Sequence, residues 1–249
     1  MGATKIEFRL RVAIMAVVIT LGFWAPWIEA WGFGERIPLL EWLALELARM
    51  GWVSFAAATP IVIVLGALVA AKGVLFRVWG TAYLGVGIVN HGQMKAGAVM
   101  ADGPYRRLRN PLYLGSWCMF AAMATMMPVS GALFAMVLLT IFLFRLILGE
   151  EAFLSAQLGA SYKEYLRAVP RIIPHLHASL PAAGGKPRWR HALLAELNPI
   201  CIFLILAVLS WRYDNWLMVK AVIVSFGISL VARALTPGIE NDSQKLSKN

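Results

Sequence analysis

The densest run of chemistry-bearing side chains lies at residues 103–117, GPYRRLRNPLYLGSW. There Arg106, Arg107 and Arg109, with Tyr105 and Tyr113, stand at the entrance of a long apolar run. Asn110 followed by Pro111 reads as a helix start, because Asn suits the N-cap and Pro the first helical position. The N–H groups of that first turn, with arginines beside them, suit a carboxylate or a phosphate. The tyrosines add planar surface with a polar tip. The competing reading is that the arginines only hold lipid headgroups. Farther along, RLILGEE places Arg145, Glu150 and Glu151 where the next apolar run ends. If the two runs form a hairpin, Glu150 and Glu151 come to lie beside Arg109 and Asn110. Such a group could hold a ligand carrying both charges, and ionisable groups at membrane depth mark functional sites. A plain structural Arg–Glu network is the alternative.

The elements that would position these residues are membrane helices. Of 249 residues, 60% are hydrophobic and 14% charged, and the mean hydropathy is +0.70. The apolar runs are continuous and approach the roughly 17–25 residues that cross a bilayer core. They lack the alternation of an outer-membrane barrel. The expected fold is therefore all-α, a polytopic transmembrane bundle of about six spans plus interfacial helices. The spans are expected at about 10–28, 53–71, 111–127, 129–148, 199–211 and 216–235. The first is read as retained rather than cleaved, since bulky aromatics and no small-residue site follow it. LLEWLALELARM reads as an interfacial amphipathic helix. Residues 72–90, interrupted by Lys72, Arg77 and glycines, read as a separate half-buried helix.

The net charge of +10 follows the positive-inside rule rather than nucleic-acid binding, since no basic tract is interleaved with aromatics. With the N-terminus inside, only Arg36, Arg49, Arg212 and Lys220 of the 23 Lys and Arg fall outside. Both termini are thus expected in the cytoplasm, in the inner membrane if the source is bacterial. Cys118 and Cys201 lie within apolar runs and suggest packing, not a disulfide or metal site. His175, His177 and His191 have no carboxylate or Cys at ligand spacing, so no metal is expected. The organisation expected is N-terminal helices over 1–74, a catalytic region over 75–175 and a linker over 176–195. An extra helix pair over 196–236 and a disordered tail over 237–249 complete it.

GPYRRLRNPLYLGSW followed by GEEAFLSAQLGASYKEYLRAVP resembles the isoprenylcysteine carboxyl methyltransferases and the related phospholipid N-methyltransferases. The shared pattern here is Gly103, Tyr105, Arg109, Asn110, Pro111, Tyr113 and Gly115, then Glu150, Glu151 and Leu154. Leu158, Gly159, Tyr162, Tyr165, Val169 and Pro170 continue it. Upstream, VNHGQ resembles the family's His/Gln stretch, and the likeness covers about residues 75–175. It implies S-adenosylmethionine at the cytoplasmic end of the hairpin and a lipophilic small-molecule or lipidated acceptor entering from the bilayer. The backbone of Tyr113 and Leu114, with Arg109, would face the cofactor carboxylate. Glu150 or Glu151 would face its ammonium or ribose, and Tyr105, Trp117 and Tyr162 its adenine. His91 and Gln93 would close the other side. Glu151, Arg109, Asn110 and His91 are the candidate catalytic residues. Tyr165, Arg167, Arg171, Met119 and Met123 are candidates for the acceptor side, the methionines as a greasy wall or as adaptable packing. One departure is that Asn110 stands where the family carries His; Asn keeps a capping role but cannot change charge near neutral pH.

The reaction implied is in-line methyl transfer, in which alignment and water exclusion do most of the work. Two other functions remain open on the sequence. One is an NADPH-dependent membrane reductase of sterol-reductase type, with Arg106, Arg107 and Arg109 on the extra phosphate. The other is a non-catalytic membrane scaffold that keeps the fold.

Overall fold

The computed structural model describes residues 2–24, 37–84, 102–212 and 214–235. The expected tail, His91, Gln93 and most of the loop after the first span lie outside these described residues. Among them the helices are α1 (Lys5–Arg9), α2 (Arg11–Phe23), α3 (Leu39–Arg49), α4 (Phe55–Leu84) and α5 (Pro111–Ala124). They continue with α6 (Val129–Ala168), α7 (Trp189–Ala195), α8 (Leu197–Leu209) and α9 (Asn215–Leu235). Short 3-10 turns cover Gly103–Arg106 and Ser210–Arg212. The described residues contain no strand beyond an isolated bridge between Pro38 and Pro128.

Among the described residues the fold is all-helical, and its apolar helices mark a membrane protein. Helices α4 and α6 are long and apolar enough to cross a bilayer. The pair formed by α7 and the stretch Leu197–Arg212 passes the same test together, but is bent by 68°. Helix α2, helix α5 and the stretch Trp216–Ala232 are apolar but shorter. At about 1.5 Å per residue, α6 is about 60 Å long, twice a hydrocarbon core, so its polar second half extends beyond the span.

The separate half-buried helix expected over 72–90 is not seen. Helix α4 runs unbroken through Lys72, Gly73, Arg77 and Gly80 to Leu84. Its glycines serve close packing instead of interruption. A Cβ at Gly73 would stand 3.0 Å from the Gly115 carbonyl oxygen, and one at Gly115 would stand 2.8 Å from that of Gly73. Small residues at a crossing let two membrane helices approach backbone to backbone. Likewise, the fourth span and the polar segment after it form one helix, α6, with a break at Gly159 (φ 59°, ψ −129°). The linker also contains an unexpected helix, α7.

The α5–α6 hairpin turns at residues 125–128. There α3 docks end-on, with Leu39 N–H donating to the Met127 carbonyl (2.8 Å) and Leu40 N–H to that of Thr125 (2.9 Å). Those carbonyls satisfy donors that a helix start leaves open. Ala44 of α3 is buried against Ala58 and Val62 of α4. Met119, Met123 and Met126 form a core with Ala70, Ile202, Leu206 and Met218, joining α4 and α5 to the C-terminal helices. The open end of the hairpin, away from α3, carries the polar residues.

Candidate functional site

At the open end the chain enters α5 through the 3-10 turn Gly103–Arg106. Gly103 has φ 55°, and a Cβ there would overlap the Tyr83 ring. Only glycine meets both demands without strain. The turn buries Tyr105, and Leu108 after it is fully enclosed. The 102–110 segment is then covered by residues 169–188, a strap held largely by backbone hydrogen bonds. Arg109 N–H donates to the Pro170 carbonyl (2.9 Å), His175 N–H to Arg107 (3.0 Å) and Ser179 N–H to Arg106 (2.8 Å). Arg106 Nε donates to the Leu180 carbonyl (2.6 Å). The Asp102 carboxylate accepts from the Ala183 and Gly185 N–H groups (2.8 and 2.7 Å).

Glu151 is the hub. Its buried carboxylate receives Arg109 Nη1 at 3.2 Å and Arg171 Nη2 at 2.9 Å. Asn110 Nδ2 donates to Glu151 Oε1 (3.2 Å) and to the Arg171 carbonyl (3.1 Å). The two arginines satisfy and neutralise the carboxylate, as burial requires. Asn110 occupies the N-cap position, but its side chain makes no capping bond. Its amide is used instead to tie Glu151 to the strap. Leu114 N–H already donates to the Asn110 carbonyl (3.1 Å), which leaves the earlier first-turn donors, including that of Tyr113, outside this bond.

Glu150 is partly covered and its carboxyl is hydrogen-bonded with the Tyr113 hydroxyl, with Arg11 in electrostatic range of both. Arg11 comes from the start of α2 and also donates to the Phe8 carbonyl (3.1 Å). The N-terminal segment is anchored there by the Glu7–Arg145 ion pair (2.9 Å) and by Ala3 N–H donating to the Arg145 carbonyl (2.8 Å). Tyr162 and Tyr165 are buried with ring centroids 5.7 Å apart. The Tyr165 hydroxyl donates to the Tyr105 carbonyl (2.9 Å).

Two buried polar atoms here have no hydrogen-bond partner among the described residues: the Tyr105 hydroxyl and Arg109 Nε. Burial pushes the Tyr105 phenol well above the ordinary tyrosine value, and the Glu150 charge adds to the shift. At neutral pH it is therefore a donor.

The structure thus brings Tyr105, Arg109, Asn110, Pro111, Tyr113, Glu150, Glu151, Tyr162, Tyr165 and Arg171 to one end of the hairpin. Trp117 stands apart, exposed on the flank, with Nε1 donating to Thr140 Oγ1 (2.9 Å). Met119 and Met123 lie in the α4–α5–α8 core. Arg167 is exposed on the last turn of α6. His91 and Gln93 lie outside the described residues. Among the described residues no group of His, Cys, Asp or Glu is arranged to hold a metal.

Sequence reasoning passed over Arg11 and a second buried network. Glu196, 1% exposed, accepts from Arg77 Nε (2.5 Å), Arg77 Nη2 (3.1 Å) and Thr81 Oγ1 (2.7 Å). Arg77 Nη1 also donates to Ser116 Oγ (2.5 Å). The signal available was an arginine and a lone glutamate within otherwise apolar runs. Their pairing spans 119 positions, which spacing cannot reveal.

The searches of curated proteins and of solved structures found no match. Residues 61–161 match the family model described as phospholipid methyltransferase, and that stretch holds Tyr105, Arg109, Asn110, Tyr113, Glu150 and Glu151. By this match, residues 61–161 carry the pattern of the phospholipid methyltransferase family, membrane methyltransferases of the kind that the sequence resembles.

Proposed function

We propose that the protein is an S-adenosylmethionine-dependent methyltransferase that acts on a lipophilic, isoprenoid or lipid-like acceptor at the cytoplasmic membrane face. The observation that carries this reading is the pair of buried, unpartnered donors, Tyr105 Oη and Arg109 Nε, near the Glu150 carboxylate, which meets Tyr113. Buried donors without partners are costly, on the order of 1–3 kcal/mol each, and are kept where a ligand completes them. When bound, S-adenosylmethionine supplies a methyl group activated by its sulfonium. Arg109 and the first-turn N–H groups of α5 would hold its carboxylate. Glu150 is the carboxylate left for its ammonium, because Glu151 is already taken by Arg109, Arg171 and Asn110. Tyr162 and Tyr105 offer aromatic surface.

The strap and the buried tyrosines exclude water, which suits a transfer that depends on alignment. An acceptor already carrying a carboxylate or thiolate needs no base. An amine would need a base, and Asn110 cannot serve as one. Six spans with both termini in the cytoplasm fit the shorter helices α2, α5 and α9 and the bent α7–α8 pair as partners of the two long ones. The reductase reading would gather Arg106, Arg107 and Arg109 on a phosphate, but Arg106 Nε is turned away to the Leu180 carbonyl.

The test is calorimetric binding of S-adenosylmethionine to purified protein, with NADPH as comparison. Tyr105→Phe should weaken S-adenosylmethionine about tenfold, the worth of one good hydrogen bond. The same change should leave the ligand-free protein as stable or more so, because a buried unpaired hydroxyl is removed. Preference for NADPH, or unchanged affinity in Tyr105→Phe and Arg109→Met, would overturn the proposal.

A further inference from the structure

The strap over the Glu151 network is polar in its backbone contacts but carries bare apolar side chains. Ile173 is 79% exposed and Leu176 87%, and Ile172 is partly exposed beside them. Nothing in the strap's own hydrogen bonding requires these residues, since its hold on 102–110 comes mainly from backbone groups. Their placement follows from Arg171. Its guanidinium lies 5.8 Å from the Phe144 ring centroid while it pairs with Glu151. Phe144 ends a line of exposed apolar residues on the spanning helix α6, formed by Leu133, Val137, Ile141 and Phe144. These recur at steps of four, four and three, so they form one stripe of the helix surface. On a membrane-crossing helix that stripe faces acyl chains. Phe144 lies about 10 Å along α6 from Glu151, so Arg171 joins the strap to the margin of that lipid-facing surface.

The charges around it agree. Lys163 and Arg167 are exposed close by in the chain, Arg171 is partly so, and Glu164 is the exposed acid among them. Apolar tips flanked by an excess of basic groups fit the boundary between headgroups and acyl chains of an anionic bilayer.

We infer that Ile172, Ile173 and Leu176 seat in the headgroup–acyl boundary of an anionic bilayer, so that the membrane holds the strap closed over the Arg109–Glu151 network. Detergent would then leave the strap less firmly seated than a bilayer does. The inference goes beyond the proposed methyl transfer and does not depend on it.

Spin labels at Ile173→Cys, Leu176→Cys and, as a control, Ala182→Cys test this. Each is made with Cys118→Ala and Cys201→Ala and reconstituted into phosphatidylcholine–phosphatidylglycerol vesicles. All three positions are exposed, so labelling does not disturb the core. The expected result is that the labels at 173 and 176 collide with oxygen more than with a water-soluble nickel chelate. The label at 182 should show the reverse. Chelate-dominated collisions at 173 and 176, matching 182, would overturn the inference. The readout is depth, so a protein without methyl-transfer activity would still give a decisive answer.

Discussion

Replacing Glu196 by alanine should unfold the C-terminal half of the bundle more readily than any change at an exposed charge. Glu196 is 1% exposed and accepts three hydrogen bonds, two from Arg77 and one from Thr81. Its removal leaves the Arg77 guanidinium, whose side chain is 22% exposed, with Ser116 as its remaining described partner. Breaking a buried pair by deleting one member costs about 3–5 kcal/mol. The partial exposure of Arg77 argues for the lower end, about 3 kcal/mol, and the stranded Thr81 hydroxyl adds about 1 kcal/mol. Removing both charges behaves differently, because an apolar pair of similar volume often replaces a buried ion pair at little loss. Arg77→Met with Glu196→Met should therefore recover at least about 2 kcal/mol relative to the sum of the single changes. The assay is reversible unfolding in mild detergent, followed by the change in helical signal, for wild type, Glu196→Ala, the singles Arg77→Met and Glu196→Met, and their double variant. Glu196→Ala within about 0.5 kcal/mol of wild type, or a double variant as unstable as the sum of the singles, would refute the reasoning.

Other predictions concern the strap, the N-terminus and the turn. Glu151→Gln leaves Arg109 and Arg171 facing each other without a counter-charge, so limited proteolysis within 171–188 should quicken about tenfold, as an opening about 1.4 kcal/mol easier would give. Unchanged cleavage would show that the backbone bonds alone close the strap. The Glu7 carboxyl is held down to about 2 by the Thr4 N–H and then by Arg145. Its folded value lies below the ordinary one of 4.5, so its contribution is full above 4.5 and is lost as pH falls through about 2. Protection of the amides of residues 3–9, taken relative to the intrinsic exchange rate at each pH, should accordingly fall on acidification through that window in wild type but stay low and flat in Glu7→Gln. Gly103→Ala should destabilise by about 1–3 kcal/mol, from a positive φ and overlap with Tyr83, seen as a lower unfolding midpoint. Gly184→Ala, also at positive φ but in open space, should cost less.

The sequence by itself determined the membrane class, the helix content and the meeting of Asn110 with Glu151. Apolar runs of bilayer length must be helical, because lipid leaves no other way to satisfy the backbone. A tight connection at MPVSG brings the two ends of the α5–α6 hairpin together. The Asn110–Pro111 start and the stop at Pro170 were equally local, since Pro acts through its own ring and missing N–H. Only the tertiary structure decided which charges oppose which. Glu150 and Glu151 are adjacent in sequence, yet successive helical residues point about 100° apart. One therefore meets two arginines and the other meets Tyr113. The same holds for the glycines of α4, which sequence alone reads as breaks and packing uses as contacts. Arg77 and Glu196 found each other through a bend at the α7–α8 junction that no local pattern announces. Propensity and hydropathy act over a few residues, whereas the energy that selects these partners is the cost of burying a charge unpaired, and that depends on the whole fold.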